Sequence, residues 1–83
     1  MDMLMFQLQK QSATPLYKQL YREIRSAITS GTIAVDTKLP SKRKLAEYLQ
    51  ISQTTVELAY SQLVAEGFIE PRPRRGFFTM PVE

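Results

Sequence analysis

Only Gln50 and Ile51 separate two stretches of helical periodicity, and that tight junction constrains the fold more than any other feature of the chain. The first stretch opens on Ser41, a residue that caps helices, and offers Leu45, Ala46, Tyr48 and Leu49 as its buried face. The second opens on Ser52, carries Val56, Ala59, Tyr60, Leu63 and Val64 on one face, and stops at Gly67. Ala46 and Ala59 allow the two helices to cross closely, although both also suit an ordinary core. The second helix begins Ser52-Gln53-Thr54-Thr55, so it buries its rear and leaves a polar leading edge free.

Upstream, Thr14-Pro15 predicts a helix start, with Thr14 as the cap and Pro15 at the first helical position. Leu16, Leu20, Ile24 and Ile28 then recur every four residues, flanked by Tyr17, Tyr21 and Ala27, up to Ser30-Gly31. Core packing is the expected role of Tyr17, Tyr21, Tyr48 and Tyr60. Residues 1–13 read as an N-terminal extension: Leu4, Phe6 and Leu8 alternate as in an extended segment, which either docks or frays. Between the first two helices, Ile33 and Val35 are spaced for a short strand, and Asp36-Thr37 reads as a turn. Downstream, Phe68-Ile69-Glu70 and Phe77-Phe78-Thr79-Met80 read as strands of a hairpin around the basic tip Pro71–Gly76. Pro71 and Pro73 cannot donate to a ladder, which predicts an edge or a bulge there. Residues 14–80 thus form one α+β domain, mainly α, and 81–83 read as the start of a linker or simply an end.

Composition narrows the function. With neither cysteine nor histidine in 83 residues, disulfides, thiolate metal sites and the commonest nucleophile–base pairs are excluded. The apolar run Met3–Phe6 is too short for a membrane span or a signal sequence, so a cytoplasmic setting without membrane or metal is expected. The net charge of +3 is mild, but it is arranged in two blocks, Lys42-Arg43-Lys44 and Arg72, Arg74, Arg75. The first block lies in the opening turn of a helix, where the backbone dipole already favours anions. Cations placed there, against the helix's own preference, make a site for phosphate.

The order helix, connector, helix, turn, helix, hairpin resembles a winged helix-turn-helix, and residues 14–79 resemble the DNA-binding domain of GntR-family bacterial transcription regulators. The resemblance is carried by Pro15-Leu16-Tyr17, Ser30-Gly31, Leu39-Pro40-Ser41 with Arg43, Leu45-Ala46, Ser52 with Thr54-Thr55-Val56, Ala59-Tyr60, Gln62-Leu63, Ala65-Glu66-Gly67 and the wing glycine Gly76. The run Leu58–Leu63 and the wing Arg74–Phe78 are similar to the MocR-type branch, with the YtrA-like branch as the competitor. A MocR-type assignment implies a large aminotransferase-like domain beyond these residues, holding pyridoxal phosphate and the homodimer contacts, and no cofactor in this chain. Gln53 departs from the arginine or lysine frequent in the family, Gln50 from a turn glycine, and Arg74 from a wing glycine.

The resemblance implies that Gln53, Thr54 and Thr55 enter the major groove of double-stranded DNA, while Arg72, Arg74, Arg75 and Gly76 lay the wing on the adjacent minor groove. Ser41, Lys42, Arg43 and Ser52 would meet phosphate or a base edge. Ser41 and Ser52 are equally well explained as helix caps alone. Two other classes compete: a winged helix used for protein–protein contact, and an enzyme built on Glu66 and Glu70, which lack any accompanying nucleophile or metal ligand.

Overall fold

Residues 8–81 are described in the structure, a computed structural model. Helix α1 spans Leu16–Thr29, α2 Lys42–Leu49 and α3 Gln53–Ala65, followed by strands β1, Ile69–Arg72, and β2, Gly76–Thr79. Leu20 and Ile24 of α1, Leu45 of α2 and Val56, Ala59, Tyr60 and Leu63 of α3 close on one another as a single core. Leu39 and Ile33 of the connector and Ile69 of β1 complete it.

The start of α1 differs from expectation. Pro15 is the residue that flanks the helix, with an extended backbone at ψ 146, and no side chain caps it. Thr14 turns away, and its carbonyl accepts from Gln19 Nε2 at 2.7 Å. The same Gln19 clasps Gln9 through two hydrogen bonds. Lys10 reaches across to donate to the Gln50 carbonyl at 3.0 Å, so the extension docks from Leu8 onward. Residues 9–12 form a turn, closed by Ser12 N donating to Gln9 O, and the alternating Leu4 and Phe6 lie outside the described residues.

The helix-turn-helix corner forms as its sequence dictates. Ser41 Oγ accepts from Lys44 N, and Ser52 Oγ from Thr55 N, each at 3.1 Å. Gln50 takes the left-handed conformation, φ 58 and ψ 47, that ends α2. Glycine would be less strained there by about 1 kcal/mol. Tyr48 is not part of the buried face: it is 46% exposed. Leu45, Ala46 and Leu49 cluster on the helical wheel, and Tyr48 falls about 60° outside them. Eight residues present only that narrow stripe.

No strand forms at Ile33 and Val35. Ile33 is a single buried plug whose N–H donates to Ala27 O, and Val35 is exposed. The turn is centred on Asp36, φ 62. Extended pairing comes later: Leu39 N donates to Phe77 O, Thr79 N to Thr37 O, and Lys38 bridges Phe78. The connector therefore flanks β2 on the side away from β1. Thr79, buried, pins it by donating to Ala34 O at 2.6 Å and accepting from Thr37 N at 2.9 Å.

In the hairpin, Ile69 faces Thr79 and Arg72 faces Gly76, so Arg72 and Gly76 belong to strands and the tip is only Pro73-Arg74-Arg75. Arg75 N donates to Arg72 O at 3.0 Å, and Arg74 has φ 62. Proline followed by a positive φ is the order of a type II turn, which accounts for Arg74 at a position that favours glycine. Phe68 O accepts from Met80 N, so by alternation Pro71 points its missing N–H out of the sheet, on the free edge of β1.

At the far end, the Tyr21 hydroxyl donates to the Glu66 carboxylate and accepts from Arg25, clasping α1 to the end of α3. The Tyr21 hydrogen bond holds Glu66 below the usual carboxylate range, while burial and then Glu66 push Tyr21 up. The carboxylate's stabilisation is fully present above about pH 4.3 and is lost as pH falls through its lowered value. The phenol's is present below about pH 10 and is lost as pH rises through its raised value. Stability measured by urea denaturation between about pH 5 and 2 should therefore fall less steeply in Glu66→Gln than in the unaltered chain. Equal slopes would show that the clasp contributes nothing.

Candidate nucleic-acid interface

Three elements present polar and cationic groups in sequence order: the start of α2, the start of α3 and the wing. At the start of α2, Arg43 and Lys44 are exposed, with no acidic residue in the first turn to neutralise them. Arg43 Nε meets Glu47 Oε1 at 3.3 Å, but both side chains are largely in solvent, 81% and 66%. An exposed pair one turn apart contributes only about 0.3–0.5 kcal/mol, so Arg43 is free to exchange Glu47 for a phosphate or a base. Lys42 is held differently, its Nζ 5.5 Å from the Phe77 ring centroid, where the ring face attracts it towards the wing.

At the start of α3, Gln53 and Thr54 are exposed and face outward. Thr55 is half-buried and turned to the cap, its Oγ1 2.8 Å from Ser52 Oγ. Both capping serines use their oxygens as acceptors, which leaves the Ser41 hydroxyl proton available to an anion. Capping and anion contact are thus compatible at Ser41.

In the wing, Arg74 and Arg75 stand exposed at the tip. Arg72 does not join them. Its guanidinium lies over the Phe78 ring at 4.2 Å, meets Glu70 at 2.8 Å and pairs with Asp36. These carboxylates, Glu70 first, raise its pKa further. Arg72 ties the hairpin to the connector, a partnership between residues far apart in sequence that no local pattern reveals. Gly76 has φ 109, strained for any other residue, and a Cβ there would stand 3.5 Å from the Lys38 side chain.

Besides Ile69 in the core, a joint at Tyr60 fixes the wing to the helices. Tyr60 packs edge-on to Phe77, ring centroids 5.1 Å apart, and donates its hydroxyl to Pro40 O at 2.7 Å. Burial pushes that hydroxyl far above its ordinary pKa, so it stays a donor. Beside the joint lies an open cleft of about 270 Å³ lined by Lys42, Glu57, Ser61, Val64, Pro71 and Phe77. Glu57, expected on the outer face of α3, is half-buried, and Leu58, noted in the sequence only within the run Leu58–Leu63, is 49% exposed. Among the described residues, no group of acidic side chains is arranged to hold a metal ion, and no helix is long and apolar enough to cross a membrane.

Three helices, a capped two-residue corner and a basic hairpin docked on the third helix define a winged helix-turn-helix domain. Residues 16–79 match the family described as bacterial regulatory proteins, gntR family, and the chain belongs to that family. It is 58% identical over 64 residues to the uncharacterized HTH-type transcriptional regulator YdeL of Bacillus subtilis (strain 168), covering 77% of this chain and 14% of that protein. The GntR-family transcription factor YtrA of Sulfolobus acidocaldarius superposes with a TM-score of 0.85 at 36% identity, over 93% of this chain and 81% of that one. The AraR DNA-binding domain in complex with operator ORE1 superposes with a TM-score of 0.74 at 31% identity, over 90% of this chain and 94% of that one. Relatives bearing the MocR and the YtrA names both match. The chain spans about one sixth of the length of the first curated relatives it matches.

Proposed function

We propose that this domain binds double-stranded DNA sequence-specifically as the reading head of a bacterial transcription regulator. One observation carries the reading: Gln53 and Thr54 are exposed at the start of a capped helix that lies, in sequence, between two exposed basic groups, Arg43-Lys44 and Arg74-Arg75. α3 lies in the major groove with Gln53 and Thr54 on base edges, Arg43 reaches an adjacent base or phosphate, and the wing tip follows the neighbouring minor groove. Ser41 and Lys42 meet phosphate at the start of α2. The operator complex of the similar AraR domain supports this docking.

A protein–protein role is disfavoured by the same surface, which is polar and cationic at its rim. Within the family we assign the chain to the MocR-type branch. Support comes from its wing and α3 residues and from matches to relatives several times its length. That branch would place a homodimerising, pyridoxal phosphate-binding domain beyond residue 83, and the protein in the cytoplasm. Extending the reading frame past Glu83 tests the assignment.

Binding-site selection from a randomised duplex pool tests the function. The unaltered chain should enrich one motif, and Gln53→Arg should shift one position from adenine towards guanine, since glutamine pairs bidentately with adenine and arginine with guanine. The expected preference at that position changes about tenfold or more. An unchanged motif would remove Gln53 from the readout, and no enrichment with either protein would overturn the function.

A further inference from the structure

The outward face of α3 is not uniformly polar. Helical spacing puts Thr54, Leu58, Ser61 and Ala65 on one stripe, opposite the buried Val56, Ala59, Tyr60 and Leu63. All four stripe residues are exposed. Leu58 is the one large apolar side chain among them, one turn beyond Thr54 and in the middle of the face. Among the described residues it belongs neither to the core cluster nor to the partly buried residues packed around it, and it does not line the cleft under the wing.

We infer that Leu58 reads the 5-methyl group of a thymine in the major groove, one turn of helix beyond the bases met by Gln53 and Thr54. The inference rests on the reading of α3 as the groove-binding helix. A leucine can neither donate nor accept a hydrogen bond. Among the base edges of the major groove, only thymine offers an apolar feature, its 5-methyl group. Opposite any other base, Leu58 strips water from a donor or acceptor and returns nothing. It therefore selects thymine twice: by covering the methyl, and by penalising the alternatives. A lone exposed leucine is unremarkable on most surfaces. Here it lies one turn beyond Thr54, on the exposed side of the helix that carries the polar edge.

The test uses the 83-residue chain and the duplex enriched from a pool of unmodified bases, in which thymine is the only source of a 5-methyl group. Each thymine of that duplex is replaced in turn by uracil, which removes the methyl and nothing else. Affinities are measured by fluorescence anisotropy at one fixed salt concentration. At one position the unaltered chain should lose about fourfold, the ratio that burial of one such carbon corresponds to. Leu58→Ser should show no difference between thymine and uracil there, and should melt as the unaltered chain does, because Leu58 is exposed. Tolerance of uracil at every position, with selective binding otherwise intact, overturns the inference and leaves the DNA-binding reading standing. A chain that enriches no duplex overturns that reading, and the inference with it. A change of solution mass in Leu58→Ser, measured by light scattering, assigns the residue to a contact between copies and also overturns the inference.

Discussion

Raising the salt from about 50 to about 200 mM should weaken duplex binding by this domain about 500-fold. The expectation follows from the placement of charge. Lys42, Arg43 and Lys44 at one helix start and Arg74 and Arg75 at the wing tip would supply the cations of the proposed interface, while Arg72 is engaged within the protein by Glu70 and Asp36. About five neutralised phosphates give a slope of log K against log salt near −4 to −5. Replacing Arg74 and Arg75 together by alanine should make that slope shallower by about 2 units, with little change in sequence preference, because phosphate contacts carry no base information. Arg72→Ala should instead act through the wing's attachment. A slope near zero for the unaltered chain would mean that these cations do not face the ligand.

The second large effect concerns the joint that aims the wing. Tyr60→Ala removes a side chain that is 1% exposed and touches the connector, α3's own core face and Phe77 together. Truncating a buried aromatic costs about 3–5 kcal/mol. A chain of this length has only about 4–12 kcal/mol in total, so Tyr60→Ala should be largely unfolded or melt far below the parent. Tyr60→Phe keeps the ring and strips only the hydroxyl from Pro40 O, for about 1–3 kcal/mol. That should lower the melting temperature by several degrees. Circular dichroism melts of both variants check the ranking. A Tyr60→Ala protein within about 1 kcal/mol of the parent would place the packing centre elsewhere.

Local chemistry made much of this structure legible in the sequence. Ser41, Ser52 and Gly67 mark the ends of α2 and α3 because capping involves only near neighbours. Thr54 is readable because helical periodicity sets it opposite Val56, Ala59 and Tyr60, whereas Gln53 shares their side of the helix and is exposed as its first residue. What stayed hidden depends on partners distant in the chain. The connector pairs with β2 at Lys38 and Leu39 rather than forming a strand at Ile33, and β2 lies some 40 residues away. Arg72 looks like a third wing-tip arginine until Asp36 folds back to meet it. Thr14 preceded a proline in the pattern of a cap, but an extended Pro15 moved the helix start one position on. Tyr48 shows the limit of periodicity in a short helix, where one apolar residue at the margin falls on either side.

The position of Pro71 has a consequence for how copies of this domain coexist. Among the described residues β2 lies between β1 and the connector, so the outer margin of β1 is an edge that another strand could join. Pro71, near the middle of that margin, offers no N–H to a newcomer. The hairpin is thus a terminated sheet. Two wings brought side by side would meet as like charges over an edge that lacks a donor at Pro71, which disfavours strand pairing between them.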